Sequence, residues 1–290
     1  MFKGSIVAIV TPFNNGAVDV EKLRELVEFQ ISGGTDAIVP CGTTGEASTL
    51  DYDEHMLVVK TVVEQVKKRV PVIAGTGSNS TAEAIELTKL SKEAGVDGCL
   101  LVTPYYNKPT QEGLYLHYKA VAEAVAIPQI LYNVPGRTGV NLLPETVARL
   151  APIKNIVAIK EATGSLQQAS EVLALCGEQI DVLSGDDFIT FPMMACGAKG
   201  VISVLANIMP KAVGDLTDAY FAGDLAKARQ LHLDTLKISN AMFIESNPVP
   251  VKTALGLMGK CSDEVRLPLA PMSEANKNKL VAIMKEYKLI

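Results

Sequence analysis

Up to about residue 204 the chain alternates short runs of Val, Ile, Leu and Ala with longer amphipathic segments. The runs lie at residues 5–10, 36–40, 70–74, 98–103, 128–132, 156–160, 180–184 and 200–204. They are apolar throughout instead of alternating with polar residues, which marks parallel strands covered on both faces. Eight such strands at helix-length intervals predict a closed (β/α)8 TIM barrel, whose active site lies at the carboxyl ends of the strands. Periodicity alone leaves an open doubly wound sheet as the alternative.

The intervening segments carry helix signals. Asp19 precedes a face made of Val20, Leu23 and Val27, and Gly33-Gly34 closes that helix. Asp51 with Glu54, and Ser80 with Glu83, have capping-box spacing. From about Pro210 the strand signal stops, and residues 212–240, 249–258 and 273–287 read as helices. The expected division is a catalytic barrel over residues 1–224 and a C-terminal helical appendage over residues 225–290.

Composition narrows the function classes. With 48% hydrophobic and 20% charged residues, a chain of 290 residues can bury a large core. A net charge of -5 gives no general attraction for nucleic acid or an anionic membrane. The N-terminus runs straight into strand pattern without signal-peptide features, and no apolar run approaches the ~20 residues of a membrane span, so cytoplasmic residence is expected. The five cysteines show no Cys-x-x-Cys spacing, and His55, His117 and His232 follow no metal-ligand spacing. The histidines read as structural or solvent-facing. Gly75-Thr76-Gly77-Ser78-Asn79-Ser80 lacks the third glycine of a dinucleotide loop.

The candidate chemistry sits where the strands end. Lys160 closes an apolar run and is followed by turn residues. In a desolvated pocket its ammonium form is disfavoured, and the neutral amine attacks carbonyls. The competing reading lets Lys160 snorkel outward beside Glu161. Gly42-Thr43-Thr44-Gly45 offers backbone N–H groups and hydroxyls to a carboxylate or phosphate. Tyr105, Tyr106 and Tyr132 supply phenols for proton exchange, and Arg137 a planar fork for a carboxylate. Gly185 ends the seventh strand and Ile202 lies in the eighth, where small side chains and backbone groups can line a pocket. Together these groups are what an aldol reaction on an anionic 2-oxo acid requires.

Five ordered stretches, Gly42 to Glu46, Thr103 to Asn107, Tyr132 to Gly139, Ile159 to Gly164 and Asn247 to Lys252, carry a family resemblance over nearly the whole chain. The sequence resembles the pyruvate-dependent class I aldolase superfamily, and within it the dihydrodipicolinate synthase family most closely. That resemblance implies that Lys160 forms a Schiff base with pyruvate while Tyr132 shuttles protons. Thr43 would link Tyr132 to Tyr106 of a neighbouring subunit, Thr44 would bind the pyruvate carboxylate, and Gly185 and the Ile202 backbone would complete the pocket. Arg137 would anchor the second substrate, L-aspartate 4-semialdehyde.

The family needs no metal or nucleotide, is commonly a homotetramer built as a dimer of dimers, and is often inhibited by L-lysine. Ser48, His55, Asn79, Glu83 and Tyr105 fall where sensitive relatives bind it, although Glu83 is equally explained by its capping-box spacing and His55 by exposure. Tyr52 departs from the histidine of some sensitive members, and the order of Ala47 and Ser48 is swapped. The alternatives are a sugar-acid aldolase of the same superfamily, such as N-acetylneuraminate lyase or a 2-keto-3-deoxy-sugar-acid aldolase, and a non-catalytic binder of small acids. Arg137 argues against the first and Lys160 against the second.

Overall fold

The computed structural model describes residues 2–290. Its strands are β1 (Gly4–Ala8), β2 (Phe13–Asn14), β3 (Ala17–Val18), β4 (Ala37–Val39), β5 (Ile73–Gly75), β6 (Gly98–Val102), β7 (Gln129–Asn133), β8 (Ile156–Glu161), β9 (Asp181–Ser184) and β10 (Gly200–Ser203). β2 and β3 form a small antiparallel hairpin. The other eight pair in the order β4-β1-β10-β9-β8-β7-β6-β5, with parallel neighbours throughout. A parallel bridge from Ile38 to Val72, supported by the Ile38 N–H donating to the Pro71 carbonyl at 3.0 Å, joins the two ends of that order. The sheet is therefore a (β/α)8 barrel and not an open one.

Around it run α1 (Val20–Ser32), α2 (Tyr52–Val66), α3 (Thr81–Glu93), α4 (Gln111–Ala124), α5 (Pro135–Thr138), α6 (Pro144–Leu150), α7 (Leu166–Cys176), α8 (Thr190–Cys196) and α9 (Pro210–Phe221). Beyond them come α10 (Leu225–Ala241), α11 (Val249–Leu257) and α12 (Glu274–Glu286). Asp19 caps α1 by accepting from the Lys22 N–H at 3.0 Å, and the Asp51/Glu54 capping box forms in full.

Three local expectations differ. The third barrel strand starts at Ile73, not at residue 70, because Pro71 has no N–H for the ladder and Val72 pairs only through the isolated bridge. The single helix expected over residues 212–240 is two: Gly223 takes φ +81°, and Asp224 caps α10 by accepting from the Lys227 N–H at 3.0 Å. At α3 Ser80 accepts the Glu83 N–H at 3.4 Å, but the Glu83 carboxylate accepts from Ser78 Oγ at 2.7 Å instead of turning back to the cap. Capping therefore accounts for Ser80 and not for the Glu83 side chain.

Strand alternation decides which side chains face the barrel interior. Ile130, Tyr132 and Ala158 belong to the inner cluster with Ile6, Ile73, Leu183 and Ile202, whereas Leu131 and Ile159 belong to the outer core beneath the helices. Each Leu or Ile among them contributes roughly 1.5–3 kcal/mol of burial free energy. Continuing the alternation, Lys160 faces inward and Glu161 outward.

Candidate active site

A cavity of about 400 Å³ opens beyond the carboxyl ends of β5, β6 and β7. Thr43, His55, Glu83, Tyr105, Tyr132 and Arg137 are on its wall. Gly42, Gly75 and Gly77 also line it. A Cβ on Gly77 would meet the Val102 backbone N, so only glycine lets this loop approach the end of β6.

Lys160, like Thr44, Gly185 and Ile202, does not line this cavity, and its link to the wall is through Tyr132. It pairs in register with Tyr132 across β7 and β8, is 5% exposed, and holds Nζ 4.2 Å from the centroid of the Tyr132 ring. Among the described residues no carboxylate lies within ion-pair distance of Lys160. The outward snorkel is thus not what the chain does. Lysine fits because Gly185 has no side chain: a Cβ there would come within 3.1 Å of Lys160 Cε and 2.5 Å of Ala162 Cβ.

Two acidic groups follow Gly185. Burial pushes the Asp186 carboxyl up to about 6, while the charge of Lys160 pulls it the other way. Burial also raises Asp187, against the hydrogen bonds it accepts from Ser203 Oγ at 2.5 Å and from the N–H groups of Val204 and Leu205 at 2.9 and 3.0 Å. Those bonds fasten the end of β10, one residue beyond Ile202, which is fully buried and paired with Ile6.

Behind the barrel wall Asn133 and Glu161, also register partners, form a polar network. Asn133 Nδ2 donates to Glu161 Oε2 at 3.1 Å and to Asn141 Oδ1 at 2.8 Å, and the Thr163 N–H donates to Glu161 Oε1 at 2.8 Å. Burial raises the Glu161 carboxyl, and these donors oppose the rise.

Thr44 is buried, and its Oγ1 bonds Asn247 Nδ2 at 3.0 Å. The Asn247 carbonyl accepts from Arg137 Nη2 at 3.1 Å. One residue before α11 thus joins a threonine of the second barrel loop to the arginine of the fifth. Asn247 Oδ1 is buried without a partner among the described residues. Glu46, at φ +54°, ends the same threonine loop and is met in the core by Lys252 of α11. Sequence reading quoted Asn247 to Lys252 as part of a family pattern but assigned neither residue a task. The available signal was a lysine in the middle of an otherwise apolar helix.

The remaining expected residues divide. Ser48, His55, Glu83 and Tyr105 share the cavity wall with Tyr132, while Asn79 does not line it and accepts from Asn107 Nδ2 through its backbone carbonyl at 2.9 Å. All three histidines are buried, so exposure does not explain His55. Burial lowers the His55 pKa against a bond to the Gly75 backbone, and His55 Nε2 has no partner. Tyr106 is 89% exposed at φ +73° and does not line the cavity of its own chain. Among the described residues no cluster of three or more His, Cys, Asp or Glu side chains is placed to hold a metal, and no helix is long and apolar enough to cross a membrane.

Residues 1–287 match the model of the dihydrodipicolinate synthetase family. The chain belongs to that family. A relative from Geobacter sulfurreducens named 4-hydroxy-tetrahydrodipicolinate synthase is 88% identical over 290 residues, covering 100% of both chains. Among solved dihydrodipicolinate synthases, the chloride-inhibited protein from Acinetobacter baumannii complexed with pyruvate is 51% identical, with TM-score 0.98 over 100% of both chains. The Cyanidioschyzon merolae protein with lysine bound is 38% identical, with TM-score 0.96 over 100% of this chain and 99% of that one.

Proposed function

We propose that this enzyme is a 4-hydroxy-tetrahydrodipicolinate synthase, a lyase that condenses pyruvate with L-aspartate 4-semialdehyde. The observation that carries the reading is the buried Lys160 amine against the ring of Tyr132, which lines a cavity together with Thr43 and Arg137. Its relatives of the same name over the full length support the choice of substrates.

Lys160 Nζ attacks the ketone carbon of pyruvate, and one water leaves as the C=N bond forms. The iminium is an electron sink, so the methyl group gives up a proton to become an enamine without a metal or nucleotide. Tyr132 carries protons in these steps, with Thr43 beside it, and Thr44 takes the pyruvate carboxylate. Gly185 and the Ile202 backbone complete that side of the site. Arg137 receives the carboxylate of the semialdehyde, bringing the aldehyde within reach of the enamine carbon. After the C–C bond forms, the substrate's own amine adds to the imine carbon and Lys160 departs as a free amine.

Tyr106 belongs to the relay of a second copy, a role supported by its exposure and its absence from the lining of its own cavity, and the working assembly is a homotetramer of paired dimers. L-Lysine inhibits through Ser48, His55, Asn79, Glu83 and Tyr105; the first two and last two of these on the catalytic wall, and the lysine-bound relative, support this. Residues 1–224 form the catalytic unit and residues 225–290 the helical one, working in the cytoplasm as an enzyme of lysine and diaminopimelate biosynthesis.

Borohydride reduction with pyruvate tests the core of the reading. The expected product carries a reduced pyruvyl adduct on Lys160, absent from Lys160→Ala. A sugar acid turned over in place of pyruvate and the semialdehyde would move the enzyme to another branch of the superfamily.

A further inference from the structure

Lys252 is fully buried, near the middle of α11, out of reach of bulk solvent. Its ammonium donates to Glu46 Oε1 at 2.7 Å and to the Thr11 carbonyl at 2.9 Å, and sits 4.2 Å from the centroid of the Phe13 ring. Glu46 Oε2 accepts from the Arg266 N–H at 3.1 Å. Both oxygens of Glu46 are thus held by the C-terminal segment. The Glu46 N–H in turn donates to the Thr43 carbonyl at 3.1 Å, and Thr11 Oγ1 donates to the Gly45 carbonyl at 2.7 Å.

A charge pair at this depth is a poor source of stability, because desolvating both ions offsets their attraction. What it does provide is a directional tie that only one loop conformation satisfies. We infer that Lys252 and Glu46 are positioning residues which hold the Thr43-Thr44 loop in its pyruvate-binding shape from the C-terminal helices. The inference rests on the proposed role of Thr44 towards the pyruvate carboxylate.

The test uses the full-length double variant Lys252→Met/Glu46→Gln. Methionine keeps the stem over Phe13, and glutamine keeps an oxygen for the Arg266 N–H, so no unpaired charge remains in the core. The pyruvate KM is expected to rise about tenfold, since small displacements of a binding group are costly, while the semialdehyde KM stays within about twofold. The single variant Lys252→Met, with Glu46 left buried and unpaired, is expected to show at least the same pyruvate defect. An unchanged pyruvate KM in the folded double variant, even with a lowered Tm, would reduce the pair to a structural role and overturn the inference. If the unsubstituted enzyme forms no borohydride-trapped adduct, the reading of the site fails and this inference with it. Adduct formation that half-saturates at the same pyruvate concentration in both proteins sinks the positioning role alone.

Discussion

Asn133 Nδ2 donates to Glu161 Oε2 at 3.1 Å on the outer side of the barrel wall, one residue beyond Tyr132 and Lys160, which pair on its inner side. The same two strands therefore carry a reacting pair on one face and a polar brace on the other. Asn133→Ala removes that brace and leaves the Leu142 N–H, which donates to Asn133 Oδ1 at 2.9 Å, without its acceptor. Chemical denaturation should show a loss of about 2–4 kcal/mol, typical of a broken buried network. Unchanged stability would mean that the strands hold their register without it.

Gly185→Ala should act directly on the amine. Its methyl would collide with Ala162 and press on Lys160 Cε. We expect kcat to fall about 100-fold, with a fold that still melts cooperatively. Titrating the rate of borohydride trapping against pyruvate checks this, because an undisturbed lysine would trap at the original rate.

Tyr106 and Lys160 should complement each other between chains. Tyr106→Phe and Lys160→Ala are each expected to be nearly inactive. Unfolded together in equal amounts and refolded, they should recover about a quarter of the original activity, since half the random pairs are mixed and each holds one intact site. No recovery, with mixed pairs present by mass, would return the proton relay to a single chain.

Asp186 makes stability depend on pH in a definite direction. Its folded pKa of about 6 exceeds the ordinary 3.8, so the folded state binds more protons between these values and loses stability as pH rises through them. Asp186→Asn abolishes that loss. The Tm of the variant relative to the parent should climb from pH 4 to about 6 and then stay level. A difference that is flat across this window would show that the carboxyl titrates normally.

The barrel was legible because its strands are buried on both sides, which leaves uninterrupted apolar runs, and because Lys160 interrupts one of them at its end. Edges were less so: Val70 and Pro71 continue an apolar run, yet proline cannot join the ladder. The helix break at Gly223 was missed since Ala222 and Leu225 on either side still fit an amphipathic stripe. Asn247 and Lys252 could not be assigned from sequence, because their partners Thr44 and Glu46 lie 203 and 206 positions away. No local periodicity encodes a contact of that range.

The ties from Asn247, Lys252 and Arg266 to the loop of Thr44 and Glu46 also set an order in time. During synthesis the loop leaves the ribosome early, but its fasteners emerge only when the polypeptide is almost complete. A nascent product lacks these partners, so the hydrogen bonds of Thr44 and Glu46 to the C-terminal segment are completed only after Asn247, Lys252 and Arg266 have emerged.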